Sequence, residues 1–151
     1  MSSAVLLVKP PANRAREIYA QSSGILNSLS AESNHRPAHL LADDVERAEA
    51  SLAEAQVYQR DIEWLSRCDV LVPEASGSSY GVGFEVGYVI GRAHQTRQRV
   101  LLVYDAARRH AVSRLIAGNC DAACSTFEYR TLEELASFID RELGPSTGPA
   151  R

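Results

Sequence analysis

A chain of 151 residues with 45% apolar content falls within the usual size of one domain and can build one packed core without metal or disulfide staples. Its 16 basic and 19 acidic residues are scattered and sum to −3, which excludes the concentrated basic face a nucleic acid polymer needs but not a site for one phosphate. Cys68, Cys120 and Cys124 form an odd set without a paired pattern, and the apolar run from Ala4 to Val8 is too short for a membrane span or secretory leader, so a cytoplasmic or nuclear protein is expected.

The run Ala4 to Val8, ended by Lys9-Pro10-Pro11, reads as a strand buried on both faces of a parallel sheet. Asn13 can cap a helix through about Ser30, with Ile18, Ile25, Leu26 and Leu29 as its apolar side. Pro37 to Leu41 gives a second strand with a weaker pattern. Asp43 and Asp44 open an Ala- and Glu-rich helical region reaching about Arg67, in which Asp61 projects close to the apolar side made by Val57, Ile62, Trp64 and Leu65. Asp69 to Pro73 is a third strand, followed by a Ser- and Gly-rich loop and a helix from about Gly81 to His94. Arg99 to Tyr104 is a strand, Val112 to Ala117 a short helix, Ser125 to Tyr129 a last strand and Leu132 to Leu143 a last helix. Strands alternating with helices predict a three-layer α/β sandwich on a five-stranded, mostly parallel sheet of Rossmann or flavodoxin type. Residues 1–143 form this single domain, and 144–151 a disordered tail.

In such folds ligands sit beyond the carboxyl ends of the strands, which places the loop after the third strand at the expected site. Gly81-Val82-Gly83-Phe84-Glu85-Val86-Gly87 departs from the dinucleotide fingerprint in its last glycine and in following the third strand. What remains is a glycine-bearing helix start, where free amides and a positive dipole end can rest an anion, with Ser78 and Ser79 adding hydroxyl donors. Glu85 is expected in the first turn, ionised by the dipole and available as a nucleophile, although a first-turn acid can equally do no more than complement that dipole. Gly83, Gly87 and Gly91 form a smooth stripe that lets the backbone approach a sheet or another subunit. Asp61 is a second acid; two carboxylates can divide the work of glycosidic cleavage, one attacking the sugar carbon while the other orients the sugar or assists departure. Cys120-x-x-x-Cys124 lacks a nearby second ligand pair, and the four histidines show no ligand spacing, so no metal is expected.

Asp61-Ile-Glu-Trp-Leu-Ser-Arg-Cys-Asp-Val-Leu-Val, followed by Gly81-Val-Gly-Phe-Glu-Val-Gly, resembles the 2′-deoxynucleoside 5′-phosphate N-hydrolases, a branch of the nucleoside 2-deoxyribosyltransferase superfamily. The resemblance runs from about Tyr58 to Asn119. It implies that Glu85 attacks the anomeric carbon of a deoxyribose, that Asp61 orients the sugar, that no cofactor is used, and that the protein is a homodimer. Six residues before the nucleophile, the resemblance places a Ser in the phosphate-binding hydrolases and an Asp in the transferases; here it is Ser79. Ala111 to Ile116 resembles the segment by which the hydrolases lend a Ser to the neighbouring subunit's phosphate, which implicates Ser113. Gly81 and Gly83 stand for the phosphate-binding helix start. The family's glycine-rich loop after the first strand, and a Tyr on that strand, have no counterpart; Lys9, Arg14 and Arg16 are the residues available to supply charge there, without reproducing a backbone cradle. Base exchange between deoxynucleosides, and a catalytically degenerate nucleotide-binding dimer, are the alternative readings.

Overall fold

The computed structural model describes residues 52–77 and 79–143, together with the strand backbones of 5–9 and 17–20. Two strands, β1 (Val5–Lys9) and β2 (Glu17–Ala20), precede helix α1 (Glu54–Arg67) and strand β3 (Val70–Pro73). Helix α2 (Tyr80–Thr96) and strand β4 (Arg99–Asp105) follow. A 3₁₀ segment (Ala106–Ala111), the single-turn helix α3 (Arg114–Ala117), strand β5 (Cys124–Tyr129) and helix α4 (Leu132–Leu143) complete the order. The sheet runs β2-β1-β3-β4-β5, with β3, β4 and β5 mutually parallel in neighbouring pairs.

Strand β4 explains the layering. Its core from Val100 to Val103 is almost wholly excluded from solvent, because successive side chains of a strand point to opposite faces and both faces here are covered. Val100, Leu102 and Tyr104 meet Leu65 of α1 and Val82, Val86 and Val89 of α2. Leu101 and Val103 meet Val72 of β3 and Leu135, Phe138 and Ile139 of α4. The result is a helix–sheet–helix sandwich, with α1 and α2 on one face and α4 on the other.

Gln98, just before β4, joins two of these elements. Its buried amide nitrogen donates to the Leu65 and Cys68 carbonyl oxygens, both at 2.7 Å, and so satisfies carbonyls that the end of α1 leaves without partners. The same amide lies 3.5 Å from Cys68 Sγ, in a pocket where burial pushes the thiol up to about 11.

The N-terminal strands differ from expectation in direction and identity. β1 is antiparallel both to β3 and to β2, so the parallel part of the sheet is confined to β3, β4 and β5. β2 occupies part of the stretch read as a helix from Asn13. Its Ile18 and Tyr19 favour extended chain, and an antiparallel return beside β1 needs no crossover helix. The rest of that predicted helix, the predicted strand at 37–41, the helix start at Asp43 and Asp44, and the tail at 144–151 lie outside the described residues. The short helix expected at 112–117 is confined to Arg114–Ala117, with Val112 and Ser113 linking it to a 3₁₀ segment that was not expected. Among the described residues no helix is long and apolar enough to cross a membrane.

Candidate active site

Because α2 follows β3 directly, it starts at the carboxyl edge of the parallel strands, as right-handed β-α-β construction requires. Ser79 caps it from extended backbone, and its Oγ accepts the Val82 N–H at 3.4 Å. The Gly83 N–H is taken by the Ser79 carbonyl oxygen at 3.2 Å. Gly83 therefore offers no free amide to an anion, contrary to the expectation; the helix itself leaves the amides of Tyr80 and Gly81 unused.

Starting the helix at Tyr80 puts Glu85 in the second turn rather than the first, and no acidic residue lies in the first turn. The dipole effect fades within one turn. Burial instead dominates, with the charge of Asp61 adding to it, and the carboxyl is pushed up to about 7. Its Oε2 is enclosed and makes no hydrogen bond. The expected ionised, dipole-stabilised acid is thus replaced by one held near half-protonation at neutral pH.

Asp61 lies on α1, half-buried, where Arg60 donates to its Oδ1 from both Nε (2.9 Å) and Nη2 (2.8 Å). Arg60 also lies over the Trp64 ring at 4.6 Å. The charge of Asp61 is the one felt by Glu85. The structure thus brings together the two acids singled out from the sequence, one charge-paired and one desolvated.

Ser113 caps α3 with an exposed side chain that makes no capping bond. Lys9 closes β1 opposite Glu17, and its side chain lies outside the described residues, as does Ser78. The glycine stripe does not face the sheet, which α2 meets through Val82, Val86, Val89 and Ala93. A Cβ added at Gly83, Gly87 or Gly91 would meet nothing within 4 Å. Phe84, half-exposed on the same helix, neighbours Tyr58 and Tyr88 with ring centroids 6.2 and 6.3 Å away. His94 and His110 are exposed.

One polar group at this edge was missed. Glu74 Oε1 accepts the Ser76 N–H at 3.1 Å, the Ser76 hydroxyl and the Tyr129 hydroxyl at 3.2 Å. Ser76 Oγ in turn accepts the Asp105 N–H at 2.7 Å, and Arg108 Nε donates to the Ser76 carbonyl oxygen at 3.0 Å. Burial and the adjacent Glu74 charge push Tyr129 up to about 12, so it stays a donor. The available signal was a carboxylate placed directly after the apolar run ending at Pro73.

The structure is thus a three-layer α/β domain with two electrostatically coupled acids, Asp61 and Glu85, on neighbouring helices of one face of its sheet. The chain belongs to the nucleoside 2-deoxyribosyltransferase family, whose sequence profile matches residues 11–134. It is 38% identical over 103 residues, 68% of this chain and 69% of the other, to a protein of Thermofilum pendens (strain DSM 2475 / Hrk 5) with the provisional name 2′-deoxynucleoside 5′-phosphate N-hydrolase 1. It is 32% identical over 95 residues to the 5-hydroxymethyl-dUMP N-hydrolase of Homo sapiens, covering 62% of this chain and 51% of that one. To the 5-hydroxymethyl-dUMP N-hydrolase of Esox lucius it is 30% identical over 95 residues, covering 62% and 61%. The chain thus spans less than two thirds of the length of the latter two relatives.

Proposed function

We propose that the protein hydrolyses the N-glycosidic bond of (2′-deoxy)nucleoside 5′-monophosphates, releasing the free base and (deoxy)ribose 5-phosphate. The observation that carries this reading is Glu85: a carboxyl enclosed on one oxygen, raised to about 7 and facing the charge of Asp61. Leaving a buried carboxyl oxygen without a hydrogen-bond partner is costly, and a carboxyl kept perturbed in this way is a candidate for catalysis. The names borne by relatives at 30–38% identity agree with it.

In the proposed reaction the ionised Glu85 attacks C1′, and the bond to the base breaks with its electron pair leaving on the base, which takes up a proton. Water then attacks C1′ of the glycosyl–Glu85 ester, freeing the carboxylate and returning the sugar phosphate. Asp61, steadied by Arg60, orients the sugar hydroxyls. Ser79 and the unused amides at the start of α2 hold the 5′-phosphate. No step calls for a metal or an organic cofactor.

The glycine stripe of α2, exposed at Gly87 and Gly91 and flanked by the half-exposed Phe84 and Tyr58, supports a homodimer in which two copies approach closely along this face. In that dimer Ser113 is assigned to the neighbouring subunit's phosphate. Three free cysteines agree with a cytoplasmic setting.

The test is release of base from a panel of nucleoside 5′-monophosphates by the purified chain and by Glu85→Gln. Release that Glu85→Gln abolishes is expected. Release that persists in the variant refutes the assignment of the nucleophile, and incorporation of an added acceptor base would show exchange instead.

A further inference from the structure

We infer that Arg108 receives the 5′-phosphate and so selects phosphorylated over unphosphorylated nucleosides, an inference that rests on the N-glycosidic reading and deepens it. Arg108 lies in the 3₁₀ segment after β4, half-buried, with its Nε–H donated to the Ser76 carbonyl oxygen. That acceptor is immobilised. Ser76 is only 6% exposed, and its amide and hydroxyl are both committed to Glu74 Oε1 while its Oγ accepts the Asp105 N–H. Tyr129 reaches the same Glu74 oxygen from the end of β5. One carboxylate oxygen thus ties the end of β5 to the loop after β3, and the Ser76 hydroxyl ties that loop to the end of β4.

A guanidinium fixed at Nε by such a point keeps its two Nη groups as a planar fork, the shape that matches two phosphate oxygens. Glu74 and Asp105 lie along the same edge, yet Arg108 makes no ion pair with either among the described residues. Its charge is therefore not spent on the protein's own acids. Ser79, three residues beyond Ser76, caps α2, so the loop that anchors the cation is the loop that leads to the unused amides of the helix start. A phosphate entering an edge already holding Glu74 and Asp105 needs a compensating positive charge.

The experiment compares kcat/KM for a deoxynucleoside 5′-monophosphate with that for the corresponding nucleoside, in the wild type, Arg108→Gln and Arg108→Lys. Loss of a charge-assisted fork is expected to reduce the monophosphate-to-nucleoside ratio at least about tenfold in Arg108→Gln, with Arg108→Lys intermediate. Inhibition by inorganic phosphate should weaken in the same order. Equal loss on both substrates assigns Arg108 to the architecture of the loop and overturns the inference, as does an unchanged ratio. Where the nucleoside is too slow to measure, the monophosphate KM and the phosphate inhibition constant carry the comparison. If the wild type releases base from neither substrate, the glycosidic reading fails by itself. Equilibrium titration with inorganic phosphate then decides for Arg108: binding weakened by Arg108→Gln upholds the anion site, and equal or no binding overturns it. Arg108→Lys, which keeps the charge and most of the bulk, serves if Arg108→Gln does not fold.

Discussion

Glu85 carries a thermodynamic signature as well as a chemical one. Burial first, and the charge of Asp61 second, raise it from 4.5 to about 7. Between these values the unfolded chain binds fewer protons at this group than the folded chain, so the contribution of Glu85 to stability falls as pH rises from about 4.5 to about 7. Urea unfolding of the wild type and Glu85→Gln at pH 5 and pH 8 should therefore show the variant gaining stability relative to the wild type at the higher pH. A nucleophile must be ionised, so kcat/KM should rise with pH along a limb centred near 7. Asp61→Asn removes the second cause and should move that limb to lower pH in the residual activity; a limb that stays in place would show that Asp61 does not act on Glu85. Loss of the nucleophile in Glu85→Gln should reduce base release by roughly a thousandfold or more, with the fold retained by circular dichroism.

At the scale of elements, α2 presents Val82, Val86, Val89 and Ala93 to the sheet and its glycines outward. Gly91→Leu should tolerate the new side chain within one subunit, where nothing lies within 4 Å, while forcing apart two copies that meet along the stripe. Sedimentation velocity is expected to show a shift toward monomer with thermal stability of the folded chain preserved; an unchanged dimer would exclude this face. The junction at Gln98 is the opposite case, because its partners are internal. Gln98→Leu leaves the buried Leu65 and Cys68 carbonyls without their donor, and thermal unfolding should report a loss of about 2 kcal/mol. From Asp69 onward the strands and the two longer helices were legible because their signals are local, apolar runs of strand length, a Ser cap and a terminal amphipathic helix, whereas the 3₁₀ segment at Ala106–Ala111 carries no such signal. The segment at Glu17–Ala20 was not, since its fate depends on pairing with β1 and helical spacing alone cannot see a partner strand.

For the whole molecule, the two faces of the sheet divide the labour. α1 and α2 carry Asp61 and Glu85, whereas α4 covers the other face with Leu135, Phe138 and Ile139 and contributes no acid to the site. Leu135→Ala, a truncation at a fully buried position, should cost about 2–5 kcal/mol in chemical denaturation while leaving activity per folded molecule intact. That Glu85 and Asp61 lie together is what the family resemblance implies, and the Asp61 charge felt by Glu85 agrees with it. The helix starts one residue before the expected glycine, because its cap, Ser79, precedes Tyr80, and Glu85 lies beyond the first turn, where the dipole no longer governs it. The Glu74–Ser76–Tyr129 group was invisible for a plainer reason. Its members are up to 55 positions apart, and only the parallel alignment of strand ends brings them together.

The surroundings of Cys68 bear on how the protein can be handled at the bench. A thiol raised to about 11 and shielded by Gln98 carries almost no thiolate at mild pH, whereas Cys120 is exposed on the surface. Maleimide and iodoacetamide reagents should therefore discriminate between these two native sulfurs, so a fluorophore can be attached at Cys120 without replacing Cys68.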